Sequence, residues 1–313
     1  MSRDPNEVFL YGPRYVLGEH RAHHTTIENL AARAAEFGMP PDAGLWGWGD
    51  IHRTERDLAD LAIGSGSATL LAAGTDPASV DALLLCSTRI PGPAEGHGAF
   101  VERVLTGIGL PDLPFYGQTL NRCVNLLAAL DVASAFVAAG RHRRVLVVTT
   151  DRVADESLRV TNYALFSDGA ASCVVSADGE AARHADGYRL VSCATAQEAA
   201  SLEWSNELSS DLARQVNDRL LAPLGMKLGD VSGLMGANLL KPLVVMKERQ
   251  AGFTMDQIHV DNIARVGHCF AADPLINLVD RAAAGHVRAD HHYLLAASVP
   301  GSRIGVLLRK LPR

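Results

Sequence analysis

The stretch Cys123-Val-Asn-Leu-Leu-Ala-Ala-Leu-Asp-Val-Ala-Ser-Ala-Phe-Val-Ala-Ala-Gly140, followed by a basic turn and Val145-Leu-Val-Val-Thr-Thr150, decides the fold, because the chain carries it twice. The counterpart runs from His268 through Ala283-Ala284-Gly285, crosses a second basic turn and ends in Tyr293-Leu-Leu-Ala-Ala-Ser298. Gly140 follows Cys123 by 17 residues and Gly285 follows His268 by 17, so the cysteine and the histidine hold one position in two related units. Upstream, Gly74 to Cys86 (GTDPASVDALLLC) parallels Gly225 to Ala237 (GMKLGDVSGLMGA), with valine six residues after glycine in both. Glycine commonly ends helices, so one Ala-Ala-Gly match would carry little, but two matched segments in the same order argue for duplication. Units that fold alike about a pseudo-twofold axis would bring Cys123 and His268 to one pocket.

Around this repeat, short apolar runs read as strands: Val80 to Cys86, Val145 to Thr150, Ala171 to Ser176, Gly233 to Ala237, Tyr293 to Ser298 and Ile304 to Leu308. Alanine-rich helical patterns separate them, which makes the class α/β with helices packed on sheets. The halves are expected at 1–176, with the nucleophile, and 177–313, with the histidine. At 313 residues and 48% hydrophobic, the chain can bury a large core. A net charge of -6 gives no overall attraction to nucleic acid or an acidic membrane. The residues open on no charged and apolar leader, and the longest apolar helical stretch, Leu126 to Gly140, is interrupted by Asp131 and too short to span a bilayer. A cytoplasmic protein is expected. The five cysteines are scattered and never form a CxxC pair, against a disulfide framework and against zinc.

Cys123 stands where an apolar helix begins, and backbone N–H groups with the helix dipole favour a thiolate there. Taken alone, a cysteine before an apolar run also reads as a buried core residue. The segment Cys123-Val-Asn-Leu-Leu-Ala-Ala-Leu130 resembles the nucleophile stretch of the ketoacyl-ACP synthase III branch of the thiolase superfamily, with Asn125 where that family has glycine. Phe166-Ser167-Asp168-Gly169-Ala170-Ala171 is similar to its Gly-Asp-Gly-Ala turn, and Val80 to Leu85 resembles the strand leading toward its active site. The resemblance implies a thiolase-like layered sandwich of two pseudo-twofold-related halves, usually a homodimer.

Departures from that pattern carry information. Condensing members have a histidine in a His-Gln-Ala-Asn motif and an asparagine in a Gly-Asn motif; here Met235-Gly236-Ala237-Asn238 and Gly267-His268 occupy those places. A thioether donates no hydrogen bond, so carbon–carbon condensation is in doubt. The segment from Gly267 to Pro274 looks more like the ketosynthase III-like acyltransferases of antibiotic pathways, a branch of secondary metabolism. That resemblance implies Cys123 as nucleophile, His268 as proton shuttle and general base, and Asp273 orienting the imidazole, with Asn238 the alternative orienting residue. Residues five apart on a regular helix point about 140° away from each other, so His268 must precede the helix or sit in an irregular first turn. Asp273 before Pro274 also fits an ordinary helix start.

For the oxyanion hole, the Cys123 backbone N–H is the first donor, and Val299 or Gly301 the second, since Pro300 has no N–H. Trp48, Arg53 and Arg56 lie near the place where the family binds coenzyme A, although Trp46-Gly-Trp48 fits burial equally well. The run Arg141-His142-Arg143-Arg144 reads as a carrier or phosphate contact or as a solvated turn. No metal ligand set is expected at His23-His24 or His291-His292. No tightly bound cofactor is expected, the donor being acyl-CoA or an acyl-phosphopantetheine carrier protein, the acceptor a hydroxyl, amine or carrier thiol. Two rival readings remain: decarboxylative condensation or starter-unit priming, and a non-catalytic partner subunit of a synthase complex.

Overall fold

The computed structural model describes residues 7–89, 92–110, 112–203 and 209–312. Eleven strands form in chain order: β1 (Val8–Leu17), β2 (His20–His23), β3 (Asp50–Arg53), β4 (Ala82–Cys86), β5 (Phe115–Gln118), β6 (Arg144–Asp151), β7 (Gly169–Ser176), β8 (Tyr188–Gln197), β9 (Val231–Met235), β10 (His292–Val299) and β11 (Ser302–Lys310). Nine of them make one sheet in the order β5-β4-β6-β7-β1-β8-β11-β10-β9, while β2 and β3 pair separately.

From the centre outward, that order repeats itself. β1 meets β7 antiparallel, β7 meets β6 antiparallel and β6 meets β4 parallel. On the other side β8 meets β11 antiparallel, β11 meets β10 antiparallel and β10 meets β9 parallel. The two runs join only through the short β1–β8 ladder of Val8, Phe9 and Leu10 against Leu190, Arg189 and Tyr188. Helices lie on the connections of the matching parallel pairs, Asn125–Ala138 between β4 and β6 and Asp273–Ala283 between β9 and β10, while β5 adds to β4 in parallel at the edge.

Strand side chains alternate between layers, as the two-residue period requires. Leu84, Val145, Val147, Cys173, Leu295 and Val306 face a central cluster that also holds the two bridging helices. Leu83, Leu85, Leu146 and Val148 face the opposite way, in a cluster with Ala59, Ala62 and Val104 from the helices Leu58–Ala72 and His97–Ile108. Leu294, Ala296 and Leu307 pack against the helices Ser210–Leu221 and Lys241–Gln250. The outer helix Ser210–Leu221 is apolar on one stripe only, burying Leu212, Ala213, Val216 and Leu220. The inner helix Asn125–Ala138 buries Leu126, Leu127, Ala129, Leu130, Ala133 and Val137.

All six expected strands are present, with Gly233 to Ala237 displaced to Val231–Met235. The reading missed β1, β5 and β8 of the large sheet and the separate β2–β3 pair. Gly12-Pro13 inside β1 look like a turn, and there the strand's pairing with β7 shifts register between Tyr11 and Arg14. β8 alternates poorly because several of its polar side chains are only half-buried. Among the described residues no helix is long and apolar enough to cross a membrane. All five cysteines are free thiols.

Candidate active site

The two bridging helices start alike. The residue before Cys123, Arg122, has φ 54°, and the residue before His268, Gly267, has φ 73°. Left-handed backbone is uncommon for arginine. Here its side chain is anchored, Nη2 donating to Pro300 O at 2.8 Å. Gly267 is required where it stands, since a Cβ would lie 2.9 Å from Ser167 Oγ and 3.0 Å from Leu165 O.

Cys123 lies in a 3-10 turn, Arg122–Val124, just before the helix at Asn125. In that turn Arg122 N–H donates to Thr119 O and Val124 N–H to Asn121 O, while the Cys123 N–H between them donates to no backbone acceptor among the described residues. Asn125 is fully buried, and its side chain accepts from Asn121 N–H at 3.1 Å and donates to Ser87 O at 3.0 Å. The nucleophile turn is thereby tied to the end of β4.

His268 precedes its helix. Its N–H donates to Leu165 O at 2.8 Å and its carbonyl accepts from Ser167 N–H at 2.9 Å, so the Phe166-Ser167-Asp168-Gly169 segment is the rail that places it. Asp168 holds that rail, accepting from Val153 N–H at 2.8 Å and Thr54 N–H at 2.9 Å beside the buried Arg159 guanidinium. A 3-10 turn over Phe270–Ala272, with Phe270 at φ 52°, then swings Asp273 to the first position of the second helix. This irregular turn brings Asp273 Oδ2 to 2.5 Å from His268 Nδ1. The same carboxylate accepts from Asn238 N–H at 2.6 Å, Cys269 N–H at 2.7 Å and Asn238 Nδ2 at 3.3 Å. Asn238 therefore contacts the carboxylate and not the imidazole. Behind it, Asn277 Nδ2 donates to Asn238 Oδ1 at 3.0 Å, and Asn262 Nδ2 donates to Asn277 Oδ1 at 2.8 Å.

With Nδ1 so engaged, Nε2 is left buried without a completed hydrogen bond. Phe166 and Phe270 flank the ring, with centroids 4.9 and 5.9 Å away. Burial pushes the imidazole down, but the Asp273 carboxylate and the neighbouring Cys123 sulfur outweigh it and hold the group up at about 10. Nearby, burial pushes the Asp151 carboxyl up to about 7 despite hydrogen bonds from Thr88 and Ser87.

Cys123 and His268 both line one cavity of about 810 Å³, shared with Arg89, Phe166, Ser298, Val299 and Pro300. Of the two expected second donors, Val299 borders the cavity, as does Pro300, and Gly301 does not. Met235 is fully buried in β9, away from the cavity lining. None of Trp48, Arg53 and Arg56 lines the cavity. Trp48 is packed in a core cluster, Arg53 binds Glu156 at 3.1 Å and Arg56 lies 3.8 Å from Glu19. Trp46 lines it instead, because Gly47 at φ 74° turns the chain between the two indoles. The basic run also stays off the cavity: Arg144 pairs with Asp178 at 3.3 Å and His142 Nε2 meets Tyr116 Oη at 3.0 Å. Among the described residues no group of three His, Cys, Asp or Glu could hold a metal ion.

Comparison with solved structures matches nearly the whole chain. ChlB3, an acyltransferase, superposes with a TM-score of 0.81 at 17% identity, covering 97% of this chain and 98% of that one. The 3-oxoacyl-ACP synthase III of Aquifex aeolicus gives 0.80 at 17%, covering 96% and 99%. OleA of Xanthomonas campestris with acetamide bound gives 0.81 at 17%, covering 97% and 99%. The fold is the thiolase-like one.

Within that thiolase-like fold, residues 119–192 match the family model for 3-oxoacyl-ACP synthase III, a span that starts just before Cys123. The β-ketoacyl-ACP synthase III of Rhodospirillum rubrum is 36% identical over 38% of this chain and 36% of its own length. That of Solibacter usitatus is 29% identical over 42% and 39%. The matched regions span under two-fifths of those relatives. The likeness to the synthase III proteins is thus confined to part of the chain, while the thiolase-like fold runs along nearly all of it.

Proposed function

We propose that the protein is an acyltransferase that takes an acyl group from acyl-CoA or an acyl carrier protein onto Cys123 and passes it to a hydroxyl, amine or carrier thiol. The observation that carries this reading is the Asp273-bound His268, which shares one cavity with Cys123 and whose pKa the neighbouring Cys123 sulfur helps to raise. In loading, the Cys123 sulfur attacks the thioester carbonyl after its proton has passed to Nε2; a new carbon–sulfur bond forms, the donor's breaks, and the proton follows the leaving thiolate. In transfer, the acceptor gives its proton to Nε2 as its heteroatom attacks, and Cys123 departs as thiolate. The Cys123 N–H, and the Val299 segment opposite it, would face the oxyanion of each tetrahedral intermediate. The halves 1–176 and 177–313 would each supply one reacting group.

Relatedness to synthase III keeps condensation and priming as the second reading, but Met235 removes one donor that an enolate would need. We place the protein in the cytoplasm, in secondary metabolism and, with Phe115 and Leu120 exposed on and beside edge strand β5, as a homodimer. Intact-protein mass spectrometry after incubation with a panel of acyl thioesters tests the core claim. A mass shift that is lost in Cys123→Ala and retained in His268→Ala supports it; carbon dioxide release from a malonyl thioester would favour condensation, and no adduct from any donor would leave a non-catalytic subunit.

A further inference from the structure

The helix Lys241–Gln250 presents Leu243, Met246, Lys247 and Gln250 to the cavity, one face at spacings of three and four residues. Three of these suit an acyl or pantetheine pocket. Lys247 does not: the residue is 6% exposed, and its neighbours Glu248 and Arg303 are 3% and 0% exposed.

Charge counting within this cluster leaves an excess. Arg303 grips Glu248 with two parallel bonds, Nη1 to Oε1 at 2.7 Å and Nη2 to Oε2 at 3.0 Å, and Nη1 also reaches Ser298 Oγ at 3.1 Å. That fork satisfies the carboxylate. Lys247 Nζ stands 3.1 Å from the already engaged Glu248 Oε1, its one ion-pair partner among the described residues. Among the described residues the one acid on the cavity wall is Asp211, and it is taken by Arg214. Two cations and one anion thus lie largely shielded from water with a single positive charge uncompensated, an arrangement that an added anion would relieve. Burial acts to lower the ammonium's pKa, and Glu248 opposes that.

We propose that Lys247 seats a carboxylate carried by the acyl group or by the acceptor, giving the cavity a preference for acidic substrates. This rests on the cavity being the acyl-transfer site proposed above. A carboxylate fits better than a phosphate, because one surplus positive charge balances a monoanion and the Arg303 fork is already occupied. Ser298 couples the cluster to the site, as it binds Arg303 and borders the cavity immediately before Val299 and Pro300.

The test measures binding in a Cys123→Ala background, so that it does not depend on chemistry. Isothermal calorimetry compares glutaryl-CoA with pentanoyl-CoA for the acyl arm, and 4-hydroxybutyrate with its methyl ester for the acceptor arm. One acidic member should bind about tenfold or more tightly than its neutral partner, the size of a charge-assisted hydrogen bond, and the arm that discriminates names the source. Adding Lys247→Met should bring that ratio close to one. Equal affinities in both arms with Lys247 present overturn the proposal, a result available even if the second substitution prevents folding. So does a preference that survives in Lys247→Met, or equal weakening of both coenzyme A thioesters, which would put Lys247 on the donor's phosphates. Adduct formation on wild-type Cys123 is scored separately: its absence removes the acyl-transfer reading and leaves the binding comparison standing.

Discussion

His268 Nδ1 lies 2.5 Å from Asp273 Oδ2 although the two residues are five apart, a separation at which a regular helix would point them away from each other. The break is local. Phe270 at φ 52° ends the extended segment of His268, and the helix starts only at Asp273. Residues beyond the pair also fix its geometry: four hydrogen bonds converge on Asp273, from His268, Cys269 and both the main chain and side chain of Asn238. Such a carboxylate is pre-organised to hold one imidazole tautomer, with Nε2 toward the cavity.

Asp273→Asn tests that role. The isosteric amide keeps the shape but removes the charge that most raises the His268 pKa, so the imidazole should titrate lower by NMR. The acceptor step should slow by about a hundredfold or more, since positioned acid–base catalysis contributes about 10²–10⁴. Single-turnover kinetics of the acyl-Cys123 form provide the measurement; an unchanged transfer rate would leave Asp273 a simple helix-start residue.

Stability should fall on both sides of neutrality, for opposite reasons. Burial acts to raise the Glu248 pKa, but Arg303 and Lys247 more than reverse it, to about 2 against 4.5. A depressed acid contributes stability above its unfolded value and loses it as pH falls from 4.5 toward 2. His268 runs the other way: raised from 6.5 to about 10, it contributes fully below 6.5 and loses that contribution as pH climbs through 10. Denaturation across pH should show both limbs. Glu248→Gln should flatten the acid limb and, by leaving Arg303 buried without its partner, lower the plateau by about 3–5 kcal/mol.

What could be read before the structure follows from burial. The Cys123 and His268 helices lie in the central buried cluster, so their apolar runs and terminal glycines stand out, and the pairing of cysteine with histidine came from counting. Trp48 was preferred to Trp46 because two indoles around one glycine look alike until the turn at Gly47 is seen. Lys247 left no trace, since Met-Lys-Glu-Arg near a helix end reads as a solvated surface. The Asn238–Asn277–Asn262 chain joins three separate segments, and no local pattern announces such a contact.

Asn125 stands where the resemblance would place glycine, and it has taken up a structural task. Asn125→Gly deletes the buried bonds to Asn121 N–H and Ser87 O and adds backbone freedom at the first residue of a helix. The cost should be about 2 kcal/mol, the penalty for buried groups left unpaired. Chemical denaturation measures it. Cys123 loading should slow in the same variant, because the nucleophile turn loses its tie to β4.

Gly301 closes the hairpin between β10 and β11 at φ 68°, and a Cβ there would stand 2.6 Å from Leu202 N and from Ser201 C. Backbone atoms cannot yield as a side-chain tip can, so Gly301→Ala combines left-handed strain with a clash and should destabilise by about 2 kcal/mol or more. The hairpin relieves the clash only by lifting, which carries Val299 and Pro300 away from the cavity and releases the Arg122 bond to Pro300 O. If Val299 serves the oxyanion, the variant should lose loading rate well beyond what its residual folded fraction explains. Adduct formation normalised to folded protein separates the two effects; a rate that tracks only the folded fraction would remove the hairpin from the chemistry.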